Sequence, residues 1–207
     1  MNITYCQSRS KRASGGMTKA VRKWGDGRQA LIEAALREFE DHGYDETHSN
    51  AIAKRAGYAP QTFYRHFADK LEIFLVVYKA WSDAGIEGAL AAGDVESHAR
   101  SLVEHHRSHR VFRRSLRMLT VSDPRVMAAR TEARNAQMAA IAGRLEGFAA
   151  KSRAGQLTAL LMIERICDAI ADEEFAAAGI SPEAAMSELT LLLLSLSRDR
   201  ATHGKAL

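Results

Sequence analysis

The stretch AGYAPQTFYRHFADK, residues 56–70, decides the interpretation of this sequence, because a glycine turn stands directly before a short polar helix. Pro60 opens that helix at a position where a missing backbone N–H costs nothing. Phe63 and Phe67 are four residues apart and therefore lie on one face, which predicts the buried side. The other side chains are too polar for a helix that serves only as core. We therefore expect another molecule to cover its outer face.

The residues before this stretch complete a helix-turn-helix pattern. A first helix, RQALIEAALREFEDHG (28–43), carries an apolar stripe at i, i+3 and i+4 and stops at Gly43. A second helix begins near Thr47 or Ser49, either of which can cap it. Gly57 ends the second helix, because glycine can adopt the left-handed conformation of a tight turn. Such a unit places its last helix in the major groove of DNA.

The outward side chains of this last helix have the chemistry that DNA recognition requires. Gln61 can pair bidentately with adenine, Arg65 with guanine, and Thr62 can touch a thymine methyl group. Tyr64 and His66 are suited to phosphate oxygens, which fix position rather than sequence. A three-helix packing unit that never meets DNA is the alternative interpretation of the same pattern.

The block GYDETHSNAIAKRAGYAPQTFYRHFADKLEIF (43–74) resembles the DNA-binding domain of the TetR family of bacterial transcriptional repressors. The resemblance covers residues 28–75 by motif and the remainder only by architecture. It implies base or backbone contacts at both helices of the motif and a phosphate contact from a lysine at the start of the fourth helix. The candidate DNA-binding residues are Thr47, His48, Ser49, Asn50, Pro60, Gln61, Thr62, Tyr64, Arg65, His66 and Lys70.

Three positions depart from the family pattern. Ala59 stands where a capping serine is common, so the recognition helix is expected to begin less firmly. Tyr58 replaces the usual valine or isoleucine of the turn, and Asn50 replaces an arginine. These departures affect which operator sequence is recognised rather than whether the protein binds DNA.

The rest of the chain predicts an all-α protein, since it contains only three prolines and no strand-length alternation of apolar and polar residues. A fourth helix, which Asp69 can cap, follows the motif and is the expected lever between two domains. Further helices are predicted near 95–120, 124–150, 156–178 and 182–198. The predicted parts are a disordered basic arm (1–27), a helix-turn-helix DNA-binding domain (28–75) and a ligand-binding and dimerisation domain (76–207).

Charge and composition restrict the class of protein. Residues 1–28 hold seven basic side chains and one acidic side chain, so the arm can neutralise phosphates or simply aid solubility. It is instead an upstream extension if translation starts at Met17. No apolar run is long enough to span a membrane, and the N-terminus lacks the apolar segment of a secretory signal. With only Cys6 and Cys167 no disulfide framework is expected, so we predict a cytoplasmic protein.

The resemblance implies a C-terminal domain that binds a small molecule and dimerises through its last two helices, as a palindromic operator requires. The sequence supports a dimer independently, because those helices carry more apolar surface than two surface helices should expose. An internal core is the alternative. The candidate interface residues are Leu157, Leu160, Leu161, Ile163, Ile170, Leu189 and Leu193.

The segment SLVEHHRSHRVFRRSLRMLT (101–120) is the most informative part of the expected sensor. At 100° per residue its histidines at 105 and 109 fall within an apolar stripe, beside a stripe of arginines. Metal ligation by His105, His106 and His109, an anionic ligand such as an acyl thioester or carboxylate on the arginines, and plain core or surface roles all remain open. The candidate ligand-binding residues are Trp81, His105, His109, Phe112, Arg113, Leu116 and Arg117.

Enzymatic function is not expected, because the chain lacks a phosphate-binding glycine loop, a nucleophile elbow and a paired metal motif. The prediction is a homodimeric repressor that leaves its DNA operator when an unidentified small-molecule effector binds. No cofactor and no resident metal are expected. A helical protein-interaction module with a degenerate helix-turn-helix and a small all-α enzyme are the alternatives.

Overall fold

A computed structural model gives the fold and describes residues 26–91 and 93–197. The described residues form helices joined by turns and contain no strand, which confirms the all-α prediction. The expected basic arm lies outside them except for its last two positions. The helices are α1 (Asp26–Glu46), α2 (Ser49–Arg55), α3 (Pro60–Tyr64), α4 (Lys70–Ala91), α5 (Val95–Arg107), α6 (Arg110–Ser122), α7 (Pro124–Ala142), α8 (Glu146–Ala149), α9 (Arg153–Ala171), α10 (Glu174–Ala177) and α11 (Pro182–Ser197).

Helix α1 is interrupted at Gly43, as its sequence predicts. The φ angle of Gly43 is 75°, in the left-handed region that favours glycine. The backbone here lies against α6, because a Cβ atom at Gly43 would be 3.5 Å from the Ser115 hydroxyl. The Tyr44 backbone N–H donates a hydrogen bond to the same hydroxyl over 3.0 Å. The end of α1 is thus fixed by a residue 71 positions later in the chain.

The core of the N-terminal part is aromatic and includes a residue from α6. The ring centroids of Phe39 and Phe74 are 5.1 Å apart, and those of Phe74 and Phe112 are 4.9 Å apart. All three side chains are fully buried. Leu116 and Val126 belong to the same core. The packing therefore continues across the expected domain boundary at residue 75.

The prediction of one helix over 95–120 is wrong, because the chain turns between α5 and α6. His109 leaves helical geometry, with φ −129° and ψ 38°. The turn brings the Arg113 guanidinium back to the end of α5, where its Nε donates to the His106 carbonyl over 2.8 Å. The cost of ending α5 is offset because this side chain satisfies a carbonyl that has lost its helical partner.

Two other helix boundaries also differ from the prediction. The helix expected over 124–150 stops at Ala142, and the one expected over 156–178 already begins at Arg153. Ser152 caps that helix, since the Gly155 N–H donates to its hydroxyl over 3.1 Å. Helix α9 packs against α5 and α11, while α4 packs against α5 and α7. This arrangement encloses the interior of the C-terminal part.

Candidate DNA-binding surface and interior cavity

Helices α2 and α3 form a helix-turn-helix with the tight turn that the sequence predicts. Gly57 has a φ of 77°, and the Tyr58 N–H donates to the Ala53 carbonyl over 2.9 Å. Ala53 is fully buried, so a small side chain allows α2 to approach its neighbours closely. The turn therefore depends on a glycine for its conformation and on an alanine for its packing.

Two aromatic anchors hold α3 on the core. Phe63 and Phe67 are 0% and 2% exposed, and their ring centroids are 5.7 Å apart. The N-cap residue Ala59 has extended backbone but makes no side-chain cap, as its sequence predicts. Because α3 is only five residues long, these rings rather than its backbone hydrogen bonds hold it in position.

Most of the candidate DNA-binding side chains are accessible. Tyr64 is 60% exposed, although it lies next to the fully buried Phe63. Both groups of candidates belong to consecutive helices of one motif, one at the start of α2 and one along α3. The exposed residues are His48, Asn50, Pro60, Gln61, Tyr64 and Arg65, and the half-buried ones are Ser49, Thr62 and His66.

Thr47 is a correction to the candidate set and to the predicted capping. Its side chain is fully buried, and its hydroxyl donates to the Gly43 carbonyl over 2.6 Å and lies 3.1 Å from the Glu38 carbonyl. Thr47 therefore closes the end of α1 and cannot touch DNA in this conformation. The N-cap of α2 is His48, which makes no side-chain cap. Neither Thr47 nor Ser49 caps α2.

Lys70 has a partner within the protein. Its ammonium group donates to the Tyr44 carbonyl over 2.6 Å and lies 4.1 Å from the centroid of the Tyr44 ring. Burial lowers the pKa of this amine. The lysine thus joins the start of α4 to the end of α1, a contact that sequence reasoning missed.

An interior cavity of about 320 Å³ lies among α4, α5, α7, α8, α9 and α11. This volume falls within the usual range for small-molecule sites, and its wall is mainly apolar. Of the candidate ligand residues, only Trp81 and His105 line it. The polar groups in its wall come from Ser82, His98, His105, His106, Gln137, Arg144 and Glu164.

Trp81 and His105 stack on one wall of the cavity. Their ring centroids are 4.7 Å apart and their planes differ by 18°. His105 also lies against Gly85, where a Cβ atom would be 2.8 Å from its Nε2. Burial, followed by the nearby His109, lowers the pKa of His105 to about 4. The imidazole is therefore neutral at pH 7.

The other candidate ligand residues lie outside the cavity, which corrects the predicted set. Phe112 and Leu116 are core residues. His109 lies 3.0 Å from Glu40 on α1. Arg113 and Arg117 are ion-paired to α9 and do not face a ligand.

Arg113 is at the centre of a buried ion-pair cluster. It is 2% exposed and pairs with Asp168, which also accepts from Arg117 over 2.8 Å. Burial lowers the pKa of Arg113 to about 10, so it remains charged. Burial would raise the pKa of Asp172, but the hydrogen bond from Arg117 and the charge of Arg113 lower it instead. The expected solvated arginine face is thus a contact between α6 and α9.

Two further polar side chains in the cavity wall, His106 and Glu164, have hydrogen-bonding or ion-pair partners within the protein. His106 lies 2.9 Å from Asp168, and burial and the charge of Arg113 lower its pKa to about 3. Glu164 accepts from Arg130 over 3.1 Å and from Arg134 over 2.6 Å. Within residues 26–91 and 93–197, no three histidine, cysteine or acidic residues are grouped to hold a metal ion. The metal-ligand interpretation of the three histidines gains no support from this geometry.

The predicted dimer residues divide between interior and surface. Leu160, Ile170, Leu189 and Leu193 are buried within one chain and Ile163 is half-buried, so the alternative of an internal core holds for these five. Leu157 and Leu161 are 36% and 39% exposed. Met162 and Leu191 are 47% and 58% exposed and were not among the candidate interface residues. On α9 and α11 the exposed large apolar side chains are therefore Leu157, Leu161, Met162 and Leu191.

The residues of the cavity that the sequence did not indicate come from several helices. Gln137 and Arg144 belong to the end of α7, Phe148 to α8, and Leu196 to α11. No local spacing unites them, because they meet only after the helices pack. In the part of the chain that the structure describes, no helix has the length and apolar character needed to cross a membrane.

Comparison with known proteins agrees with this architecture. The sequence profile of the family described as bacterial regulatory proteins, tetR family, matches residues 31–77, from α1 into α4. The HTH-type transcriptional activator FasR of Mycolicibacterium smegmatis is 36% identical over 83 residues. That match spans 40% of this chain and 38% of FasR.

Solved structures share the fold over most of the chain. A TetR-family transcriptional regulator from Rhodococcus sp. has a TM-score of 0.63 at 16% identity and covers 84% of this chain and 100% of its own. The fatty acid degradation regulator FadR of Bacillus halodurans has a TM-score of 0.54 at 21% identity and covers 86% of this chain and 100% of its own. Residues 31–77 thus match the tetR family of bacterial regulatory proteins, and most of the chain shares its fold with these solved regulators.

Proposed function

We propose that this protein is a homodimeric transcriptional regulator whose affinity for a palindromic operator is controlled by a small molecule bound in the interior cavity. The observation that carries the proposal is the orientation of α3. Phe63 and Phe67 are buried, while Gln61, Tyr64 and Arg65 are exposed together. A surface of this kind suits the major groove, where base edges and phosphates are within reach of one short helix.

The proposed dimer rests on the exposed apolar side chains of α9 and α11. Leu161 and Leu191 stand on two helices that pack against each other within one chain. A second copy would remove these side chains from water, and two copies present two recognition helices to the two half-sites of a palindrome. As a DNA-binding regulator, the protein is proposed to act on the bacterial DNA in the cytoplasm.

The proposed ligand control rests on α4. This helix starts at Lys70, directly after the recognition helix, and its later turns place Trp81, Gly85 and Ile86 in the cavity wall. We consider two states of the protein that differ in the position of α4 and in their affinity for the operator. A ligand that binds one state more tightly than the other can change operator affinity by no more than that difference in binding free energy. Coupling of about 1–3 kcal/mol changes operator affinity about 5–150-fold.

The direction of regulation has two candidates. Repression is the first candidate: the protein blocks transcription while it is bound to the operator, and the effector restores transcription by releasing it. Activation is the second candidate, because the relative FasR is named an activator. A transcription assay on the bound promoter separates them, since purified protein lowers transcript yield in the first case and raises it in the second.

The experiment that tests the proposal is fluorescence anisotropy on the DNA flanking the protein's own gene, at two salt concentrations. We expect tight binding to a palindrome that weakens steeply with salt, with two chains per palindrome and much weaker binding to an isolated half-site. Tyr64→Ala removes an exposed side chain of α3 and is expected to weaken binding at least tenfold, whereas the exposed Lys79→Ala on α4 is the matched control. If genomic fragments yield no site for which Tyr64→Ala and wild type differ, DNA recognition by α3 is wrong and the interaction-module alternative gains support.

A further inference from the structure

The interior of the cavity offers a bound molecule apolar contacts and no uncompensated charge. Glu164 is held by Arg130 and Arg134, so its negative charge is already neutralised. His105 and His106 are uncharged at pH 7, and burial also lowers the pKa of His98. A charged group placed deep in this cavity would lose its hydration without gaining a free counter-charge. The interior of the cavity therefore suits an uncharged, apolar molecular body.

Arg144 differs from the other charged groups of the cavity. It lies just beyond the end of α7, contributes to the cavity wall and is exposed to solvent. Every other arginine from Arg100 to Arg165 has a carboxylate or amide oxygen as a partner. Within the described residues, Arg144 has no such partner for its side chain. It leaves one free guanidinium where the cavity meets solvent.

Resting on the proposed function of the cavity, we propose that its ligand is an amphipathic anion whose apolar body fills the interior and whose anionic group pairs with Arg144 at the mouth. A guanidinium forms strong, charge-assisted hydrogen bonds with carboxylate, sulfonate or phosphate oxygens. At the mouth both charges stay partly hydrated, so pairing avoids the cost of burying an ion. The arginine that determines ligand class is thus Arg144, and neither Arg113 nor Arg117.

A purely local role for Arg144 makes a different prediction. A cation near the C-terminal end of a helix is favoured by the negative end of the helix dipole, and that role needs no ligand. Under it, substitution of Arg144 changes the stability of α7 slightly and leaves the preference for charged ligands unchanged.

The test uses two fluorescent probes that differ by one anionic group, 8-anilino-1-naphthalenesulfonate and the neutral N-phenyl-1-naphthylamine. In the full-length protein we expect the sulfonate to bind about three- to tenfold more tightly than the neutral probe. Arg144→Gln is expected to remove this preference without weakening the neutral probe. Arg100→Gln removes the same charge from the outer side of α5, where it pairs with Glu96, and is expected to retain the preference.

A third variant shows whether both probes occupy the cavity. Ile141 is half-buried in its wall, and Ile141→Trp is expected to exclude both probes while circular dichroism reports a folded protein. Equal affinity of the two probes for wild type, retention of the preference in Arg144→Gln, or binding that Ile141→Trp does not affect would each overturn the inference. Operator anisotropy is measured separately. If a probe releases the operator but the two probes bind equally well, the proposed function stands and the inference about Arg144 is wrong. If the anionic probe binds more tightly but does not release the operator, the inference stands and control of DNA binding by the ligand is wrong.

Discussion

Helices α3 and α6 both place polar residues beside aromatic anchors, but they distribute them in opposite ways. In α3 the aromatic Phe63 is buried and the neighbouring Tyr64 is 60% exposed. In α6 both Phe112 and the neighbouring Arg113 are buried, the arginine to 2% exposure. The burial of Arg113 depends on Asp168 and Asp172, at the end of α9, which pair with its guanidinium. A polar helix face is thus a binding surface only where the rest of the chain leaves it uncovered.

The largest effect that tests this contrast is expected from Arg113→Met. The substitution leaves Asp168 and Asp172 in the cluster without their most buried counter-charge. We expect the free energy of unfolding to fall by about 3–5 kcal/mol, measured by urea denaturation. Arg114→Met is the matched control, since this side chain is 54% exposed, and it should change stability by less than about 1 kcal/mol. Equal losses in the two variants would show that burial does not distinguish the two arginines.

The second effect concerns pH and the buried histidines. Because the pKa of His105 is about 4 in the folded protein and 6.5 in the unfolded chain, the unfolded chain binds more protons below pH 6.5. Stability is therefore expected to fall between pH 6.5 and pH 5, by about 2 kcal/mol for each of His105 and His106 at pH 5. His98 acts in the same direction. His48 of the DNA-binding surface is exposed and does not share this burial.

Denaturation curves across this pH window measure the effect. His105→Phe keeps an aromatic ring against Trp81 and removes one titrating group, so it should make the pH dependence clearly shallower. A variant whose stability varies with pH as steeply as wild type would show that His105 is not neutral in the folded protein. The window lies above the range in which most carboxylates titrate.

The smallest effect is expected at the start of α3. Ala59→Ser supplies the side-chain cap that this helix lacks and should raise the free energy of unfolding by about 0.5–1 kcal/mol. Ala80→Ser places the same residue in the exposed middle of α4, where its lower helix propensity should decrease stability slightly. Differential scanning calorimetry of the two variants compares them directly, and a gain at Ala80 would contradict the capping explanation.

Local patterns were sufficient for most of the helix-turn-helix. The spacing of Phe63 and Phe67, the glycine of the turn and the missing cap at Ala59 all appear in the structure as predicted. Each depends on residues within one helical turn of the position concerned. Thr47 was assigned wrongly, because its hydroxyl finds the carbonyls of Gly43 and Glu38 instead of DNA or α2.

The C-terminal part was less predictable because its chemistry depends on distant partners. The arginines of α6 pair with Asp168 and Asp172, more than fifty residues later in the chain, and no spacing within α6 indicates this. Similarly, the inner and outer faces of α9 are both apolar, so periodicity could not separate the buried Leu160 from the exposed Leu161. The cavity gathers side chains from six helices, and only packing brings them together.

The position of Phe112 has a consequence for hybrid regulators. Its ring contacts Phe74 and lies 6.5 Å from Phe39, so α6 completes the core beneath the DNA-reading helices. A graft of residues 26–75 onto a foreign sensor would leave these aromatic rings open to water. Operator specificity is therefore better exchanged between relatives of this protein by substituting the exposed side chains of α2 and α3. The alternative is to transfer α6 together with residues 26–75.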